Sequence, residues 1–209
     1  MSYTQIPVKP VGGRLVLDFL NTANWSKDGE IVHEKLVSPG DVDIWKKALG
    51  LSAQSTPTTP AELATLKTIR AVLRQIVLTA MKPTQGETQP FRTLDDILTG
   101  NASTADMRRP ALSWNQRVGQ VEVQASLTAL IMASATALLG DQREVARLKM
   151  CKGRACGWLF VDESRNGRRI WCTMETCGNR AKARRHYARS ASSHAQRLHH
   201  GTRAQDGFD

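Results

Sequence analysis

The chain has 209 residues, of which 41% are hydrophobic, and a formal net charge of +10. That length allows one large domain or two small ones, and that apolar fraction suffices for a packed core. The uncharged stretch over residues 123–139 is interrupted by Gln124, Ser126, Thr128, Ser134 and Thr136, so it reads as a buried helix and not as a membrane span.

The charge is unevenly placed. Residues 1–148 hold 16 Lys and Arg against 14 Asp and Glu, whereas residues 149–203 hold 13 against 3. A quarter of the chain supplies almost all of the positive field, and polyanions are its expected partner. The opening MSYTQIPVKPVGG lacks a charged stretch followed by an apolar one, so no secretory leader and a cytoplasmic location are expected. In a reducing compartment, clustered thiols favour metal over disulfide.

In chain order, Leu15, Val16, Phe19 and Leu20 fit a buried helix, while alternation at 15, 17 and 19 also fits a strand. Ser38-Pro39-Gly40-Asp41 predicts a capped helix through Trp45 and Leu49. Residues 51–58 read as a polar loop. Thr59-Pro60-Ala61-Glu62 predicts a capping box opening a helix with Leu63, Leu66, Ile69, Leu73, Ile76, Val77 and Ala80 on one stripe, ended by Pro83 and Gly86. Thr93 is expected to cap a helix stopped at Gly100. Leu112, Trp114 and Val118 fit short strands. A helix rich in small residues is expected over 122–139, ending at Gly140, with 143–150 continuing as helix up to the first cysteine.

The four cysteines of the chain form two hooks, CKGRAC at Cys151–Cys156 and CTMETC at Cys172–Cys177. Paired Cys-x4-Cys hooks predict a tetrahedral zinc site, and four thiolates leave no open position, so the zinc is structural rather than catalytic. Between the hooks, residues 158–161 and 168–171 read as two strands joined by an Asn166-Gly167 turn. A hairpin with one following helix has too little apolar surface to fold alone; zinc contributes on the order of 10–16 kcal/mol in modules of this kind. Gly178 is expected to supply a positive φ and Asn179 to cap the last helix. That helix carries Lys182, Arg185 and Arg189 on one face, with Arg180 and Arg184 at the edge of an apolar side containing Ala181 and Ala188. Arg165, Arg168 and Arg169 extend the positive surface onto the hairpin. His186, His194, His199 and His200 read as solvent-exposed helix residues.

The run from Cys151 to Arg185 resembles the CGNR zinc finger. It includes Cys156-Gly157-Trp158-Leu159-Phe160-Val161-Asp162, then Trp171-Cys172, and Cys177-Gly178-Asn179-Arg180-Ala181-Lys182. Gly13-Arg14-Leu15-Val16-Leu17-Asp18-Phe19-Leu20-Asn21-Thr22 resembles the opening of the ABATE domain that usually precedes that finger, and the Trp45 helix and the helix around Arg70 fit its pattern. The resemblance implies a bacterial, stress-related transcription regulator with zinc on Cys151, Cys156, Cys172 and Cys177. The expected fold is a mainly α N-terminal domain with room for a small β-hairpin, then a treble-clef or ribbon-like ββα zinc finger. The expected divisions are 1–148 for sensing or dimerisation, 149–200 for the finger and 201–209 for a tail.

The leading functional expectation is a regulator that grips double-stranded DNA through Arg165, Arg168, Arg169, Arg180, Lys182, Arg184, Arg185 and Arg189. A homodimer would suit two half-sites. An RNA-binding or ribosome-associated protein is the alternative, with Trp158, Phe160, Trp171 or Tyr187 available for stacking. Asn21 and Arg70, polar groups among apolar neighbours, are candidates for an acidic small-molecule effector; the alternative is that Asn21 satisfies backbone and Arg70 pairs with Asp18 or another acid. Trp25, Trp45 and Trp114 read as core. Residues 1–148 show no nucleophile elbow, no phosphate-binding Gly loop and His33 as the sole histidine, so no enzyme is expected.

Overall fold

The computed structural model describes residues 10–26, 28–51, 57–82 and 126–201, with side chains to residue 190. The expected helix after Thr93, the strands at 104–118, most of the 51–58 loop, Pro83, Gly86 and the tail beyond 201 lie outside the described residues. Two compact units divide the chain, Met1–Cys172 and Thr173–Asp209.

In the first unit, α1 (Leu15–Leu20) settles the helix-or-strand ambiguity in favour of helix. All six of its residues are buried, because the helices over 60–81 and 127–140 and the strand over 159–161 all pack on it. A segment enclosed all round has no periodicity to display, which is why its sequence read both ways. After it come β1 (Ala23–Trp25) and β2 (Ile31–Glu34), an antiparallel pair with a register shift between Asn24 and Trp25.

α2 (Pro39–Ala48) starts as its sequence dictates: Pro39 takes the first turn, and Ser38 and Asp41 form a reciprocal capping box. α3 (Pro60–Met81) begins with Thr59 Oγ1 accepting the Glu62 N–H at 3.1 Å. Its buried stripe contains Leu63, Leu66, Ile69, Leu73, Ile76 and Val77, and also two arginines, Arg70 and Arg74; Ala80 is only partly covered. α4 (Leu127–Gly140) starts later than the expected residue 122, because Ser126 is extended and its hydroxyl accepts the Ala129 N–H at 3.2 Å. Its small residues permit close approach: Ser134 Oγ accepts the Val16 N–H of α1 at 3.1 Å. Phe19 and Trp45 meet at 5.7 Å between centroids, in a core that also takes Leu17, Leu66, Leu73, Ile131 and Leu138.

Beyond α4, the segment 143–150 is helical only over α5 (Gln142–Val145), where Asp141 caps the turn; it then becomes β3 (Leu148–Met150). β3 pairs antiparallel with β4 (Leu159–Val161) in the register Leu148↔Val161 and Met150↔Leu159. The expected hairpin of 158–161 with 168–171 is therefore corrected: the partner strand comes before the first cysteine. Gly167 does turn, at φ +58°, but the turn closes around a side chain. Buried Asp162 accepts the backbone N–H of Ser164 at 3.0 Å and of Arg169 at 2.9 Å, together with the Lys149 ammonium at 2.6 Å. Burial alone would raise this carboxyl; the Lys149 charge and the Ser164 and Arg169 bonds instead hold it well below the usual range.

The second unit holds a π-helical turn, Met174–Gly178, leading into α6 (Asn179–Gly201). The mainly helical first region with its small hairpin, then a second hairpin and a helix beside clustered cysteines, is a zinc-ribbon-like architecture.

Burial pushes the Asp18 carboxyl up to about 7, against bonds from the Gly12 and Val11 N–H groups and the charge of Arg169. The unfolded chain releases that proton at about 4. The folded chain thus holds more protons between those values, and stability falls as pH rises through that window. Asp18→Asn keeps an acceptor for Gly12 and removes the titration. Its unfolding midpoint, followed from about pH 5 to about pH 8, is expected to lose the decline that the parent shows; equal declines in both would exclude Asp18 as the source.

Candidate metal centre and cationic helix

The four cysteine sulfurs lie within 4.8 Å of one another, and all four residues are buried. Cys156 Sγ and Cys172 Sγ are 3.7 Å apart. A disulfide needs about 2.05 Å, whereas zinc–sulfur bonds of about 2.3 Å in a tetrahedron set sulfurs about 3.8 Å apart. Cys151 Sγ accepts the N–H groups of Gly153 at 3.4 Å and Cys172 at 3.2 Å, donors that suit a thiolate. The thiols perturb one another strongly. Hydrogen bonding with Cys156 and then Cys172 pulls the Cys151 thiol far below its ordinary value, while Cys151 and then Cys172 push the Cys156 thiol far above. Four sulfurs this close cannot all ionise unless a cation sits among them. Donor set, spacing and burial therefore fit one structural zinc ion.

Local backbone makes the first hook. The Cys151 N–H continues the β3–β4 ladder to Trp158 O at 2.8 Å. The chain reverses through Ala155 and Gly157, at φ +53° and +61°. A Cβ at Gly157 would lie 2.7 Å from Trp25 Cβ and from Trp25 O, so no other residue fits. Gly178, expected to have the positive φ, lies inside the π-helical turn instead. Thr173, not Asn179, caps that turn, accepting the Thr176 N–H at 3.2 Å; Asn179 is already helical and donates to Glu175 O at 3.2 Å.

The hairpin is not isolated from the N-terminal elements. Trp25 N–H donates to Cys156 O at 3.2 Å, and Trp158 Nε1 donates to Asn24 Oδ1 at 2.9 Å. Asn21 serves the outer edge of β4 as a strand would: its Oδ1 accepts the Leu159 N–H and its Nδ2 donates to Leu159 O, both at 2.9 Å. Val161 N–H completes the edge on Gly12 O at 3.0 Å.

Comparison with protein-family models agrees with this architecture. The ABATE model, described as "Putative stress-induced transcription regulator", matches residues 13–142. The chain belongs to the ABATE family. The CGNR zinc finger model matches residues 147–190. No curated protein matches the chain.

In this ABATE protein the predicted site residues have different fates. The four CGNR-finger cysteines converge. Arg180, Lys182, Arg184, Arg185 and Arg189 are exposed on α6; Lys182, Arg185 and Arg189 line a shallow groove that also includes Ala188, which shares their face instead of opposing it. Ala181 is buried. Arg165 and Arg168 are exposed at the turn around Asp162. Arg169 is committed internally: it donates to Val11 O at 2.9 Å, to Trp171 O at 3.1 Å and to Cys172 O at 2.5 Å, and stacks 4.1 Å from the centre of Phe160. Arg70, 1% exposed, donates to Thr22 Oγ1 at 2.8 Å and makes a two-armed pair with Glu34, not Asp18. Asn21 is fully bonded to Leu159. Trp25 and Trp45 are buried core; Trp114 lies outside the described residues. Sequence reasoning passed over Asp162 and Lys149, although the Asp162-x-Ser164 spacing is that of a side chain bonding backbone two residues on. It also passed over Lys35, which is buried.

Gly157→Ala must move the Trp25 backbone or the knuckle itself. A loss of at least about 2 kcal/mol in chemical unfolding is expected, with faster zinc transfer to a chelator. Gly140→Ala, at a position with nothing near its added Cβ, is expected to change neither; equal behaviour of the two variants would refute the close approach at Trp25.

Proposed function

We propose that this ABATE protein is a DNA-binding transcription regulator whose CGNR finger, residues 149–200, makes the contact with duplex DNA, while residues 1–148 sense or dimerise. The observation that carries this reading is the composition and exposure of α6. Five cations in its first eleven residues face solvent, and residues 176–205 contain no Asp or Glu. Arg180 with Arg184, and Arg185 with Arg189, are like charges one turn apart, which destabilise an isolated helix by a few tenths of a kcal/mol per pair, about the size of an attractive pair. A phosphate backbone relieves that repulsion. Arg165 and Arg168 are free to join; Arg169, held by three carbonyls, is assigned instead to the metal knuckle. Effector contact is not assigned to Asn21 or Arg70, whose polar atoms hold β4 and Glu34. No catalytic residue is assigned, in keeping with a regulator family.

A specific observation keeps an RNA reading in view: Tyr187 is 72% exposed among the cations, where a base could stack. Of the other stacking candidates, Phe160 is buried, Trp158 is bonded to Asn24 and Trp171 is half-buried.

Arg185→Ala with Arg189→Ala is expected to weaken duplex binding and to flatten the slope of log affinity against log salt by about 2. Unchanged slopes would remove α6 from the interface. At one salt concentration, duplex DNA should outcompete structured RNA and single strands; preference for RNA, abolished by Tyr187→Ala, would establish the other reading.

A further inference from the structure

α3 places Arg74 in the apolar stripe, 2% exposed, with its Nε and Nη1 buried and without any hydrogen-bond partner. Among the described residues, no ion pair joins it to a carboxylate; Glu34 is held by Arg70 instead. An uncompensated buried charge is strongly destabilising, so a counter-charge is required. Burial lowers Arg74, and the one group acting in the opposite sense is the sulfur of Cys156. The geometry runs the same way. The Arg74 guanidinium lies over the Trp25 ring, 4.3 Å from its centre; the Trp25 N–H donates to Cys156 O, and the Trp25 backbone touches Gly157.

We infer that Arg74, supplied by the ABATE region, is a counter-charge of the zinc–thiolate centre. Four thiolates around Zn2+ leave two negative charges, and Arg74 offsets one of them. In a low-dielectric interior such a charge acts strongly without touching the sulfurs. Arg74 is a positioning residue for the metal, since it ligates nothing. The zinc ion thereby stabilises the N-terminal fold as well as the finger, because it completes the anion beside a buried cation that no described carboxylate pairs with.

The test uses the full-length protein with zinc, in competition with a metallochromic chelator. Arg74→Met is expected to weaken zinc binding about ten- to hundredfold, and Arg74→Lys to preserve it. Metal-free, Arg74→Met should be at least as stable as the parent, since it removes a buried charge with two unbonded nitrogens. With cobalt in place of zinc, the thiolate-to-metal charge-transfer band should move to lower energy in Arg74→Met. The inference is overturned if zinc affinity is unchanged, or if metal-free and metal-bound stability fall together, as a packing role predicts. It is also overturned if inorganic phosphate stabilises the parent but not Arg74→Met, which would show that Arg74 serves a diffusible anion. Should Arg74→Met fail to fold, Arg74→Gln decides by the same readouts. None of these outcomes depends on nucleic-acid binding.

Discussion

Four thiol sulfurs brought within 4.8 Å of one another are the constraint around which the C-terminal third is arranged. Ionised together they repel; protonated together they are poor ligands and weak hydrogen-bond donors. A divalent cation resolves both conditions, and the surrounding chain is laid out accordingly. Backbone N–H groups point at Cys151 Sγ, the left-handed Ala155 and Gly157 turn the chain inside the first hook, and Arg169 gathers the carbonyls of Val11, Trp171 and Cys172. Each device fixes backbone, so the sulfurs need not order the chain by themselves.

The first compact unit extends past the end of the ABATE match, through the β3–β4 hairpin to Cys172. The physical cause is the edge of β4. A two-stranded ribbon leaves a row of unpaired N–H and C=O groups, and here Asn21 and Gly12 take those at Leu159 and Val161. The inner faces of Leu159 and Val161 join the core with α1. The hairpin that carries the first hook is therefore stabilised by burial and edge pairing in addition to metal.

Arginine is used in three different ways. On α6 it is exposed and mutually repulsive, a state that costs helix stability and suits a polyanionic partner. At Arg169 and Arg70 it is a multi-armed donor filling internal acceptors. At Arg74 it is a buried charge lacking hydrogen bonds on two nitrogens. The amino-acid type is one; the field each experiences is set by neighbours remote in sequence.

The chain by itself determined whatever is encoded within a few residues. The Ser38 and Thr59 caps, the α3 stripe, the ligand set of Cys151, Cys156, Cys172 and Cys177, and the charge of α6 are all short-range signals, since capping, helical periodicity and metal-ligand spacing act over one or two turns. Tertiary structure decided which strand pairs with 159–161, which glycine carries the strained knuckle, and which arginines remain available to a partner. Asn21 and Leu159 are 138 residues apart, and Arg169 finds Val11 from 158 residues away. Hydrogen bonds and charge compensation over such separations leave no local periodicity to read; they exist only once burial has removed the water that would otherwise satisfy each group.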